Sequence, residues 1–148
     1  MKTSFQDLIV PSFGTLMDEL GFELVGDFTR REGHDRLLFV SAQARLCFMR
    51  NVRDGDIGCY LAKPLTGSGE RVTSGAWFPY TVLIPSFRSL SQEALTARVR
   101  RALTSRQEFF LMMEEELREH FDAMIADLHQ ISEHEQDYRF WDQAPARQ

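Results

Sequence analysis

Phe5, Leu8, Ile9, Phe13, Leu16 and Leu20 recur at three- and four-residue spacing, the period of a helix with one buried face. Pro11 falls inside this stripe. Proline lacks an N–H and crowds the preceding turn, so it marks either a kink or the first turn of a second helical segment. Gly21 then reads as a C-cap, since glycine enters the left-handed conformation that ends a helix at little cost. Directly after it the period drops to two. Phe22, Leu24 and Phe28 alternate with Glu23 and Asp27, the pattern of a strand with one apolar face. Arg31-Glu32-Gly33-His34 interrupts as a loop. Leu37-Leu38-Phe39-Val40 and Leu46-Cys47-Phe48-Met49 flank a short reversal at Ala42-Gln43. Asp54-Gly55 is the strongest turn signal, because a two-residue type I′ turn needs positive φ at both positions.

These turns set a register. A reversal at Ala42-Gln43 places Phe39 opposite Leu46 and Leu37 opposite Phe48. A two-residue turn at Asp54-Gly55 places Val52 opposite Ile57 and Phe48 opposite Leu61. One face then collects Leu37, Phe39, Leu46, Phe48, Val52, Ile57, Cys59 and Leu61. A single register that gathers the apolar side chains of three strands predicts a meander. Arg50 is the exception on that face, and either snorkels to an edge or pairs with a buried acid.

Leu65 to Glu70 contains Thr66-Gly67-Ser68-Gly69 and reads as a flexible loop. The run from Trp77 to Pro85 holds a short edge strand, since its prolines cannot donate to a ladder. Helical signal returns near Ser89 to Ser91 and continues to about Leu103. Ser105 and Glu108 fit a capping box, which starts a further helix extending to about Glu133. Its apolar positions are Phe110, Met113, Leu117, Phe121, Met124, Leu128 and Ile131. The expected fold is therefore α+β: an N-terminal helix, an antiparallel meander of four to five strands, and two C-terminal helices packed on the sheet.

Length and composition bound the class. The 148 residues suit a single domain spanning 1–148, with 138–148, which have no clear period, as a flexible tail. The apolar stretches fall far short of a membrane span, and Met1 to Asp7 shows no apolar signal region. A cytoplasmic location is expected. The net charge of −5 disfavours nucleic acid, whose binding depends on Lys and Arg at phosphates. Arg98, Arg100 and Arg101 form the one basic cluster and read as a solvated helix face. Cys47 and Cys59 fall on opposite faces of the hairpin, which predicts reduced structural thiols.

Charge is unevenly placed. From Gln107 onward there are 11 acidic and 3 basic residues, a net of 3 − 11 = −8. With Leu117 and Leu128 facing inward, Glu108, Glu115, Glu119, Asp122 and Glu133 fall on the outer side of the last helix, together with Met112. A solvated face is the commoner state of such a stripe. A docking surface for a basic partner is the functional reading, because the stripe has few i,i+4 cations and a partner would relieve its repulsion. Trp77, Phe78 and Tyr80 are the second candidate: Trp and Tyr are frequent interface anchors, and the alternative is that they cover an end of the sheet core.

Chemistry finds little foothold. Glu116 and His120 stand one turn apart, but the spacings of a di-iron bundle or a His-Glu-x-x-His zinc helix are absent, and no metal or cofactor is expected. Cys47 and Cys59 lie within strands, away from the helix N-termini that stabilise a thiolate. No Gly-x-Ser-x-Gly occurs, and Gly67-Ser68-Gly69-Glu70 lacks the Lys-Ser/Thr ending of a phosphate loop. These features point to a non-catalytic protein-binding module.

Phe13 to Phe22 reads Phe-Gly-Thr-Leu-Met-Asp-Glu-Leu-Gly-Phe: a helix ending in a Gly-Phe step, then a meander with Asp-Gly at its last hairpin. Over roughly residues 5–65 this layout resembles small bacterial immunity proteins of polymorphic toxin systems. The resemblance implies a protein that binds and blocks a cognate toxin. A second resemblance is to type III secretion chaperones, small acidic α+β proteins that hold an extended segment of a secreted effector. The single block of sheet before two consecutive helices departs from their interleaved order.

Overall fold

The computed structural model describes residues 4–29, 34–65 and 71–131. The Gly33 side of the first loop, the Thr66–Glu70 loop, Glu133 and the 138–148 tail lie outside the described residues. The elements run α1 (Phe5–Glu19), β1 (Glu23–Thr29), β2 (His34–Val40), β3 (Arg45–Asn51), β4 (Ile57–Ala62) and β5 (Phe78–Pro79). Two 3₁₀ turns follow, Tyr80–Leu83 and Pro85–Ser89, then α2 (Gln92–Thr104) and α3 (Arg106–Gln130). The strands form one antiparallel sheet in sequence order, β1-β2-β3-β4-β5. This is the expected α+β fold.

Local chemistry explains the boundaries. Ser4 caps α1 by accepting from the Asp7 N–H at 3.1 Å. Pro11 lies inside α1, which is assigned as one helix across it. Gly21, at φ 83°, ends it: the Gly21 N–H donates to Asp18 and the Phe22 N–H to Met17, the paired bonds of a Schellman motif. Ser91 and Ser105 cap α2 and α3 by accepting from Ala94 N–H and Glu108 N–H, each at 3.1 Å. Ser105 alone separates the two helices, so α2 folds back along α3.

The β2–β3 register is the expected one, with Phe39 opposite Leu46 and Leu37 opposite Phe48. The β3–β4 register is displaced by two residues: Phe48 faces Cys59, Leu46 faces Leu61, and Arg50 faces Ile57. Asn51 and Asp56 close a longer loop, in which the Asn51 and Asp54 side chains accept from Arg53 N–H and Asp56 N–H. These local bonds favour the wider turn over a two-residue one. A shift of two conserves face parity, so the apolar face survives, except that Val52 moves into the loop and is exposed. Gly55, at φ 78°, keeps the positive φ that the turn signal implied.

The main core lies between that face and α1 and α3. Ile9, Phe13 and Leu16 of α1 meet Leu37, Leu46, Phe48 and Leu61 of the sheet and Phe110, Leu117 and Leu128 of α3. Phe48 is its centre, 4.7 Å from the Phe13 ring and 6.0 Å from Phe39. Arg50 is resolved as a pair with the buried Asp35, its Nε donating at 2.9 Å, with its guanidinium over Phe5. The opposite face holds a smaller cluster of Leu38, Cys47, Ala62 and Trp77. Arg45 fastens it by donating to the carbonyls of Lys63, Val72 and Ser74.

Candidate partner-binding surface

α3 carries the acidic stripe, and arginines of α2 neutralise Glu108 and Glu115 in it. Arg101 donates to Glu108 at 3.1 Å and to both oxygens of Glu115 at 2.8 and 3.1 Å. Arg98 makes a bidentate pair with Glu116 at 2.7 Å through each nitrogen. The cations missing from the i,i+4 positions of α3 thus come from the neighbouring helix. This corrects the reading of Arg98 and Arg101 as a solvated face; of that cluster Arg100 stays exposed. The sequence shows that two arginines three apart share a helix face; that this face meets the acids of α3 is set by how α2 folds back at Ser105. Arg101 holds the Glu115 carboxyl below the ordinary range, and hydrogen bonding to both glutamates raises Arg101.

Met112 is a second correction. It is not on the outer surface but buried at 3% exposure, although nothing in α2 is itself buried. The helical wheel placed it opposite Leu117 but could not see that α2 lies there.

Trp77, Phe78 and Tyr80 are interior. Trp77 and Phe78 have no exposed surface, and the indole N–H donates to Thr73 at 3.1 Å. The Tyr80 hydroxyl donates to Glu116 at 2.6 Å and accepts from Arg98 at 3.0 Å. Burial first, and the Glu116 bond second, push its phenol well above the usual tyrosine range. Trp77 closes the small cluster on the far face of the sheet, Phe78 enters the main core and Tyr80 ties α3 through Glu116, so the three do not offer a surface to a partner in this conformation.

Glu119 and Asp122 remain as the outward acids of α3. Glu119 touches the Nε2 of His120 at 2.8 Å, and Asp122 has no ion-pair partner among the described residues. Exposed Ala123 and Ala126 lie beside them, so a partner could approach the helix closely. Glu116 and His120 do not converge: Glu116 is held by Arg98 and Tyr80, while the His120 ring stands edge-on to Phe87 at 5.6 Å. Cys47 and Cys59 are free, buried and on opposite faces, and burial pushes the Cys47 thiol up to about 12, which denies it a thiolate at neutral pH.

Two further surfaces present apolar side chains to solvent. One is a groove of about 600 Å³ between α1 and α3, floored by Leu8, Pro11, Phe110 and Leu111. The other is the outer side of α2, where Leu95, Val99 and Leu103 stand exposed at every fourth position. No helix among the described residues is long and apolar enough to cross a membrane.

The architecture defines an α+β protein with a five-stranded antiparallel meander, one face packed by helices. Comparisons with protein-family models, with curated proteins and with solved structures return no match.

Proposed function

We propose that this chain is a non-catalytic, cytoplasmic protein-binding module, and specifically an immunity protein that binds and neutralises a cognate toxin. The observation that carries the proposal is the division of α3. Its N-terminal acids are neutralised by α2, whereas Glu119 and Asp122 face solvent with no Lys or Arg partner among the described residues, beside two alanines. An uncompensated acidic face attracts a basic partner and speeds encounter. The resemblance of residues 5–65 to immunity proteins supplies the kind of partner.

The test has two stages. A protein captured from native lysate and identified by mass spectrometry is expressed alone and together with this chain. The expected outcome is a one-to-one complex with the folded partner and relief of its toxicity. Glu119→Gln with Asp122→Asn should then slow association and flatten its dependence on salt, with dissociation less affected. Identical association curves would remove the acidic face from the interface.

A secretion-chaperone role is the second reading, favoured by the outer edge of β1. Among the described strands β1 pairs on one side only, and it exposes Leu24 and Val25. Such an edge can accept an extended segment, although the irregularity between Leu24 and Gly26 blunts it. Recovery only of secreted proteins through their N-terminal segments would replace the immunity reading with this one.

A further inference from the structure

α2 contributes no buried residue to the fold. Its cationic side, Arg98 and Arg101, is turned to α3. Away from that side, Leu95, Val99 and Leu103 are 42, 54 and 79% exposed. At about 100° per residue they span a stripe only ~80° wide, the shape of a helix-packing ridge. The stripe runs into an apolar depression of about 270 Å³, where Leu95 meets Val82, Phe87 and Leu90. One continuous surface therefore carries a projecting side chain, Leu103, at one end and a hollow at the other.

We propose that this surface pairs with the same surface of a second copy, with the two α2 helices antiparallel about a two-fold axis. Self-complementarity is what such an axis requires. An axis passing between Thr96 and Ala97 sets Leu103 level with Leu90 of the second copy. Each Leu103 then enters the hollow of the other chain, and Leu95 and Val99 interdigitate between.

Charge supports this register. Glu93 and Arg100 lie on the same flank of the stripe, about 20° apart on the helical wheel. Neither has an ion-pair partner among the described residues. The same axis sets Glu93 level with Arg100 of the second copy, twice by symmetry. A parallel pair would instead place this flank of the two copies on opposite sides of the contact and leave both charges without a partner across it. The interface is small, since 13 residues make a helix only ~20 Å long, so dissociation falls on the order of micromolar. The proposal does not depend on the immunity reading: it uses a different face of the molecule and needs no partner protein.

The test is sedimentation equilibrium of the full chain over about 1 to 300 µM, a range that brackets the expected dissociation constant. Weight-average mass should rise from one chain towards two. Val99→Glu should abolish that rise and leave the thermal midpoint of the dilute, monomeric chain unchanged, because the side chain it replaces is not buried there. Glu93→Arg and Arg100→Glu should each weaken the dimer about tenfold, and together restore it. A wild-type chain monomeric throughout would overturn the proposal and assign the stripe to another partner. So would a dimer indifferent to Val99→Glu. A double charge swap no tighter than the single ones would overturn the antiparallel register.

Discussion

Phe48→Ala tests the account of the core most directly. The Phe48 side chain has no exposed surface and sits in β3 between Phe39 of β2 and Phe13 of α1. Truncation removes the apolar area that the ring withdraws from water, about 1.5–3 kcal/mol. It also leaves a void. Removing ~100 Å³ at about 24 cal/mol per Å³ adds ~2 kcal/mol if the site does not collapse. The loss of ring pairing with Phe13 and Phe39 acts in the same direction. Collapse is resisted from both sides, because the neighbours belong to a hydrogen-bonded sheet and to helices anchored elsewhere. The expected loss is therefore ~3–5 kcal/mol. Urea denaturation followed by far-ultraviolet circular dichroism measures it, with the slope checked for constancy between the two proteins. Leu24→Ala, on the exposed edge strand, serves as the control and should cost under about 1 kcal/mol. A loss at Phe48 below ~1.5 kcal/mol, or one equal to that at Leu24, would refute the placement of Phe48 at the centre of the core.

The α2–α3 contact gives two more expectations. Arg98→Ala leaves Glu116 with only its Tyr80 bond and should cost about 1–2 kcal/mol, discounted for the partial exposure of the pair; hydrogen exchange should show α2 losing protection while the sheet does not, and uniform loss everywhere would contradict a local role. Stability should also fall on acidification: Glu115 is lowered in the folded chain by Arg101, so its contribution is present above the unfolded carboxylate value and is lost as pH drops through the folded one. Thermal midpoints from about pH 7 to 3 for wild type and Glu115→Gln measure this, and parallel profiles for the two would show that the pair contributes nothing.

Helix periods, caps and the parity of the sheet were all legible because each depends on residues close in sequence. Ser91 and Ser105 bond three residues on, Gly21 supplies its own positive φ, and the alternation from Leu37 to Leu61 sorts side chains by face as long as the register moves by an even number of residues. Parity protects the apolar face even where the second hairpin was placed two residues out of register, since competing side-chain bonds at Asn51 and Asp54 set the loop length. What a single helix cannot reveal is which of its outer residues another element will cover. That hid the burial of Met112 and the pairing of Arg98 and Arg101 with the stripe, whereas the covering of the sheet core by Trp77, Phe78 and Tyr80 was one of the two readings their sequence offered. Amphipathic patterning records that a side chain is apolar or charged, and its local period records the direction it takes from its own backbone. Whether that direction ends in water or against a neighbouring helix is decided by long-range packing, and here by the one-residue break at Ser105 that folds α2 back onto α3.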